Sequence, residues 1–277
     1  MSDARIASTN WNGFEVHVDD RGEGAPVVLL HSSGMSGAQW RRTADLLVRG
    51  GARTVVPDLL GSGRSTPWPE GEPFRFDLDV EVVDGLLRQI GRPVHLVGHS
   101  YGGHIALRAA TLDPTRALTL ALYDPVSFGV LDPEGDRDAF AEMARVDESF
   151  GASEAEHAAW LQGFVEYWGG PEAWARLREA ARAEMTRVGW VVYAGARSLV
   201  ADRTGADAYR SLTARSLLVT GERSPIAARR IVERLGSAIP GARVEHIAGA
   251  GHMGPLTHVE QYSQLLAAFL AAEAPGG

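Results

Sequence analysis

The sequence predicts an α/β protein whose sheet is mostly parallel. Three observations predict it: short unbroken apolar runs that end in glycine or a polar cluster, helical stretches between them, and one long helical segment interrupting the alternation. The runs are PVVLLHSSG, ARTVVPDLLGSG, RPVHLVGHS, LTLALYDP, SLLVTGE and VEHIAG. An apolar run with no polar alternation suits a strand covered on both faces, as in a parallel sheet. Helices are expected over 39–49, 77–90, 100–112 and 260–272, which makes the pattern one of βα units. In the last of these, Tyr262, Leu265, Leu266, Phe269 and Leu270 recur at three and four residues and share one face. Segment 13–19 alternates apolar and polar residues instead, the mark of an antiparallel edge strand.

The interruption runs from about 128 to 208. It is helix-like and rich in tryptophan, with Trp160, Trp168, Trp174 and Trp190, and Gly169-Gly170-Pro171 breaks it once. A helical insertion between two sheet strands is the simplest account.

At 277 residues, the chain is long enough for one large domain or a main domain with an insertion. A net charge of −8 argues against a nucleic-acid partner, because phosphate binding rests on clustered Lys and Arg. With no cysteine there is no disulfide, thiolate nucleophile or Cys-ligated metal. The first residues lack a basic start and apolar core, and no run is long enough to span a bilayer, so a soluble cytoplasmic protein is expected.

The chemistry points to Gly98-His99-Ser100-Tyr101-Gly102, which fits G-x-S-x-G. In a chain with 32 glycines the match alone is weak. Its context is stronger, because a strand-like run precedes it and a helix follows, as a nucleophile elbow requires. The bland alternative is a glycine-rich turn carrying a surface serine. A helix N-terminus beside Ser100 also favours the negative charge that develops when a carbonyl is attacked.

Together with His31-Ser32-Ser33-Gly34, the segment DLLGSGRS at 58–65 and Gly249-Ala250-Gly251-His252, this elbow resembles the α/β-hydrolase superfamily along nearly the whole chain. The resemblance implies a twisted, eight-stranded type of sheet flanked by helices. It also implies a cap over the active site, dividing the chain into core 1–126, cap 127–210 and core 211–277. Ser100 is then the nucleophile and His252 its base, while His99 is ruled out because adjacent side chains on a sharp turn diverge. The oxyanion amides fall on Tyr101 and, where relatives commonly have His-Gly, on Ser33, with Ser32 at the glycine position. The segment 58–65 braces the oxyanion loop. Ser32, His31, Trp160 and Trp168 are expected to line the substrate pocket, with His31 and His258 as structural alternatives.

Many relatives carry the triad acid after the next-to-last strand, where this chain has Ser224. Asp124, ending an earlier strand before Pro125, is the expected substitute; Glu222 and the cap residue Asp202 are alternatives. No metal or organic cofactor is implied, and the partner is a small-molecule substrate. The implied activity is hydrolysis of a small to medium, largely apolar ester, lactone or thioester. Carbon–carbon bond hydrolysis of β-diketone-like compounds and a non-catalytic ligand-binding role remain open.

Overall fold

A computed structural model describes residues 5–143 and 150–272. Its eight strands form one sheet in the order β1-β2-β4-β3-β5-β6-β7-β8. They are β1 (Ser8–Trp11), β2 (Phe14–Gly22), β3 (Pro26–Leu30), β4 (Arg53–Pro57), β5 (Val94–His99), β6 (Ala117–Tyr123), β7 (Arg215–Gly221) and β8 (Arg243–Ile247). From β4 through β8 all neighbours pair in parallel, and β2 is antiparallel to both β1 and β4.

The unbroken apolar runs serve two cores at once, because successive side chains on a strand point to opposite faces. On one face Val28, Leu30, Leu96, Leu120 and Leu122 pack against α2 (Phe76–Ile90), α3 (Tyr101–Leu112) and α9 (Ile226–Ala238). On the other Val27, Leu29, Val97, Ala121 and Tyr123 meet α1 (Arg41–Arg49) and the last helix, α11 (Val259–Ala271), which follows the short α10 (Gly254–Thr257). Tyr262, Leu266, Phe269 and Leu270 of the expected stripe are buried there.

One expectation needs correction. Segment 13–19 is antiparallel but not at the edge, since β1 pairs outside it. The sequence of β1, Ser-Thr-Asn-Trp, has almost no apolar signal because an edge strand need bury little.

Between β6 and β7 lie α4 (Arg137–Met143), α5 (Glu154–Gly169), α6 (Ala173–Arg176), α7 (Glu179–Arg187) and α8 (Gly189–Ala201). Residues 144–149 of the expected helical segment lie outside the described residues. Phe150, Trp160, Leu161, Met185, Val188 and Val192 give this insertion a small core of its own. Helix α5 starts at a capping box, where Ser153 Oγ accepts from the Glu156 amide at 3.3 Å and Glu156 Oε2 accepts from the Ser153 amide at 2.9 Å. It ends at Gly169, and Gly170 takes φ +83° where the expected break falls. Among the described residues, no helix is long and apolar enough to cross a membrane.

Candidate active site

Ser100 stands between β5 and α3 with φ 55° and ψ −117°, a conformation that L-residues rarely hold. Its surroundings enforce that turn. A Cβ on Gly98 would lie 2.3 Å from the Gly102 carbonyl oxygen, and one on Gly102 would lie 2.4 Å from that of Leu30. Glycine at both positions lets strand, turn and helix close on one another, leaving the serine at the carboxyl end of the sheet. Tyr101 opens α3, so its amide belongs to the first turn, which has no acceptor within the helix.

From Ser100 a line of hydrogen bonds runs inward. Its Oγ lies 2.9 Å from His252 Nε2, and His252 Nδ1 lies 3.1 Å from Asp124 Oδ2. The carboxylate can only accept, so the imidazole donates from Nδ1 and presents the Nε2 lone pair to the serine hydroxyl. All three side chains are buried. Asp124 directly follows β6 at φ 42°, and its amide donates to the Val219 carbonyl at 2.9 Å. Ser224, at the position where many relatives have the acid, donates its hydroxyl to the same Asp124 Oδ2 at 2.6 Å.

The alternative acids are committed elsewhere. Glu222 is exposed, and its carboxylate accepts from the Gly249 amide at 2.9 Å, tying down the loop that carries His252. Asp202 accepts from the Thr204 amide and hydroxyl at 3.1 and 2.7 Å and lies 3.8 Å from His104. Among the described residues, neither bonds His252.

A cavity of about 500 Å³ opens over Ser100 and Ser33. Its walls are mostly apolar and include Trp160 and Trp168, while the Trp168 ring centroid sits 4.1 Å from that of His252. Ser32 and His31 do not line it, contrary to expectation. Both are buried and engaged in holding loops together: His31 Nε2 accepts from the Leu59 amide at 2.9 Å, and its Nδ1 donates to the Ser32 carbonyl at 2.8 Å. Burial lowers the His31 pKa, which suits this neutral bridging role. Asp58 completes the brace by accepting from the Gly37 and Arg64 amides at 2.7 and 2.9 Å. His258, half-buried, pairs with the Thr257 hydroxyl at 2.9 Å.

Two groups escaped the sequence reading because the signal for each is a partner distant in the chain. The first is Gln39, just ahead of α1. Its Oε1 accepts from the Ser32 amide at 3.0 Å and its Nε2 donates to His99 Nδ1 at 3.1 Å, while His99 Nε2 donates to the His252 carbonyl at 2.8 Å. The Ser33 loop is thus tied to the His252 loop through one buried chain. Burial, followed by the neighbouring His252, holds the His99 pKa well below its usual range, so the ring stays neutral. Gln39→Leu would strand a buried amide and an imidazole nitrogen. It should cost about 2 kcal/mol of stability in a urea titration.

The second is Asp79 on α2, which accepts from the Tyr101 hydroxyl at 2.8 Å and the Leu60 amide at 2.9 Å. Burial outweighs those two bonds and pushes its pKa up to about 7, from an ordinary value of 3.8. Between those values the folded chain retains a proton that the unfolded chain has released, so the stability associated with neutral Asp79 is complete below about pH 4 and lost by about pH 7. Asp79→Asn is expected to flatten this part of the pH dependence. Denaturant midpoints at pH 4.5 and pH 8 should lie closer together in the variant than in the parent chain.

A mostly parallel eight-stranded sheet, with a serine elbow after β5 and a histidine loop after β8, defines the α/β-hydrolase class of fold. The sequence matches the model of the Alpha/beta hydrolase family over residues 27–268, and the chain belongs to that family. It is 27% identical to a 2-hydroxymuconate semialdehyde hydrolase of Pseudomonas sp. (strain CF600), across 94% of this chain and 91% of that protein. Its fold is similar to that of a thermophilic esterase from Thermogutta terrifontis, with a TM-score of 0.74, 22% identity, and 98% and 99% of the two chains covered. A meta-cleavage product hydrolase from Pseudomonas fluorescens IP01 is also similar, at a TM-score of 0.69 and 20% identity, with 97% and 98% covered.

Proposed function

We propose that this protein is a serine hydrolase that cleaves a small to medium, largely apolar ester, lactone or thioester through an acyl-enzyme on Ser100. The observation that carries this reading is the buried line from Ser100 through His252 to Asp124, opening on an apolar cavity. His252 takes the Ser100 proton as Oγ attacks the carbonyl carbon, and Asp124 holds the imidazole in the required tautomer and stabilises its charged form. The Tyr101 and Ser33 amides receive the oxyanion. His252 then protonates the leaving group, and water repeats the cycle on the acyl-enzyme. The segment 127–210 acts as a cap that keeps bulk water from the acyl group, with Trp160 and Trp168 serving as apolar walls.

The test is a panel of p-nitrophenyl esters of graded chain length beside lactones and thioesters, together with fluorophosphonate labelling. Burying each added methylene contributes about 0.8 kcal/mol, so kcat/KM should rise about fourfold per CH2 until the cavity is full. A flat series would argue against an apolar acyl pocket. Failure of the probe to label Ser100 would leave a binding protein as the better account.

A second reading is hydrolysis of a carbon–carbon bond in a β-diketone-like compound. It is favoured by the relative aligned across 94% of this chain, which is named a 2-hydroxymuconate semialdehyde hydrolase. Turnover of such a compound with kcat/KM above that of every ester would establish it in place of the first.

A further inference from the structure

The ring of Trp168 lies against that of His252, with centroids 4.1 Å apart and 34° between the two planes. Rings this close and this nearly parallel meet face to face. Trp168 also lines the cavity over Ser100, whereas His252, 2% exposed, does not, so the indole covers the imidazole on that side. We propose that Trp168 is a positioning residue for the reaction: it holds the His252 ring in line between Ser100 and Asp124 and stabilises the charged imidazole through the face of the indole.

The proposal rests on the serine-hydrolase reading, in which His252 becomes charged in each half of the cycle. In acylation the Ser100 Oγ–carbon bond forms and the Oγ proton moves to His252 Nε2. It then passes to the leaving atom as the bond from carbon to that atom breaks. In deacylation a water proton takes the same route, first to Nε2 and then to Ser100 Oγ. An aromatic face carries negative charge density and attracts a cation within about 6 Å of its centroid, most strongly when the ring is indole. A neutral imidazole gains little from that field, so the stabilisation falls on the transition states and not on the resting enzyme. Asp124 meets the Nδ1 edge of the ring at 3.1 Å, and Trp168 meets its face. His99, with its centroid 5.0 Å away, is held neutral by burial and brings no competing charge.

The insertion fixes the tryptophan in place. Trp168 stands in the last turn of α5, where the Tyr167 ring packs edge-on against it at 4.7 Å. The Tyr167 hydroxyl donates to Glu142 Oε2 at 3.1 Å, and the same oxygen accepts from the Ala227 amide, in the first turn of α9, at 3.1 Å. The end of α5 is thereby pinned to a helix of the core. Since His252 belongs to the core and Trp168 to the insertion, the base is complete only with the insertion seated.

The test places tryptophan, 5-fluoro-, 5,7-difluoro- and 5,6,7-trifluorotryptophan at position 168 alone, by nonsense suppression. Each fluorine withdraws charge from the ring face and scarcely alters its shape. With p-nitrophenyl butyrate, kcat should fall stepwise to about a tenth for the trifluoro ring, the size of a desolvated cation–π contact. KM should stay within about twofold, because both half-reactions charge the same imidazole. Trp168→Phe should give an intermediate kcat, and Trp168→Leu one at or below that of the trifluoro ring. A wall with no electrostatic role predicts otherwise: fluorination would leave kcat level and lower KM by making the ring more apolar. That result would overturn the assignment, and if a fluorophosphonate still labels Ser100 the failure concerns Trp168 alone. If the unmodified protein neither cleaves the ester nor takes the label, the serine-hydrolase reading fails and the assignment falls with it.

Discussion

Replacing Ser100 by alanine is expected to lower kcat on an aryl ester by about a million-fold, the loss seen when a serine nucleophile that works as one unit with its base is removed. The reason is local. Ser100 Oγ is the atom aligned with the His252 lone pair at 2.9 Å, and among the described residues no other hydroxyl bonds that nitrogen. The backbone turn is held by glycines at 98 and 102 and does not depend on the hydroxyl. The variant should therefore fold, with stability changed by about 1 kcal/mol or less. Fluorophosphonate labelling and circular dichroism on the same preparation separate lost chemistry from lost structure. Turnover that persists in Ser100→Ala at anything near the parent rate would remove the mechanism.

Asp124→Asn should lower kcat by about ten-thousand-fold with little change in KM. Ser224 Oγ and His252 Nδ1 both donate to Oδ2, so an asparagine oxygen at that position would keep both bonds but lose the negative charge beside the imidazole. The imidazolium formed when His252 takes the Ser100 proton would then stand buried without its counter-charge. Glu222→Gln should stay within about twofold, because Glu222 bonds a backbone amide and not His252. The reverse outcome, with Asp124→Asn active and Glu222→Gln impaired by orders of magnitude, would transfer the acid role. A double variant makes the test sharper. Asp124→Asn combined with Ser224→Asp returns a carboxylate to the β7 loop, where many relatives carry it, and should recover a measurable part of the lost kcat.

How far the sequence reaches depends on the range of the interaction. Strand runs, the amphipathic α11 and the glycines around Ser100 are local patterns imposed by backbone geometry and by burial on both faces of the sheet, so they can be read directly. Ser100 and His252 are legible for the same reason, each standing in a short turn at the end of an apolar run. Asp124 could be named only with competitors. Nothing in Tyr-Asp-Pro distinguishes a turn from an acid whose partner lies 128 residues away. His31 and Ser32 show the opposite error: adjacent to an oxyanion-type loop in sequence, they are turned inward by bonds to Leu59 and Gln39.

By itself, then, the sequence determined the α/β class, the serine elbow and the histidine loop, because each is written in residues that are neighbours along the chain. Tertiary packing alone settles which carboxylate meets His252, that Gln39 and His99 join two loops behind it, and that Trp168 stacks beside His252 in the wall of the cavity over Ser100. Those arrangements depend on β6 lying between β5 and β7 and on the insertion folding back over the sheet's carboxyl edge. Contacts of that kind are made by chain closure across scores of residues, and no local pattern of side chains encodes them.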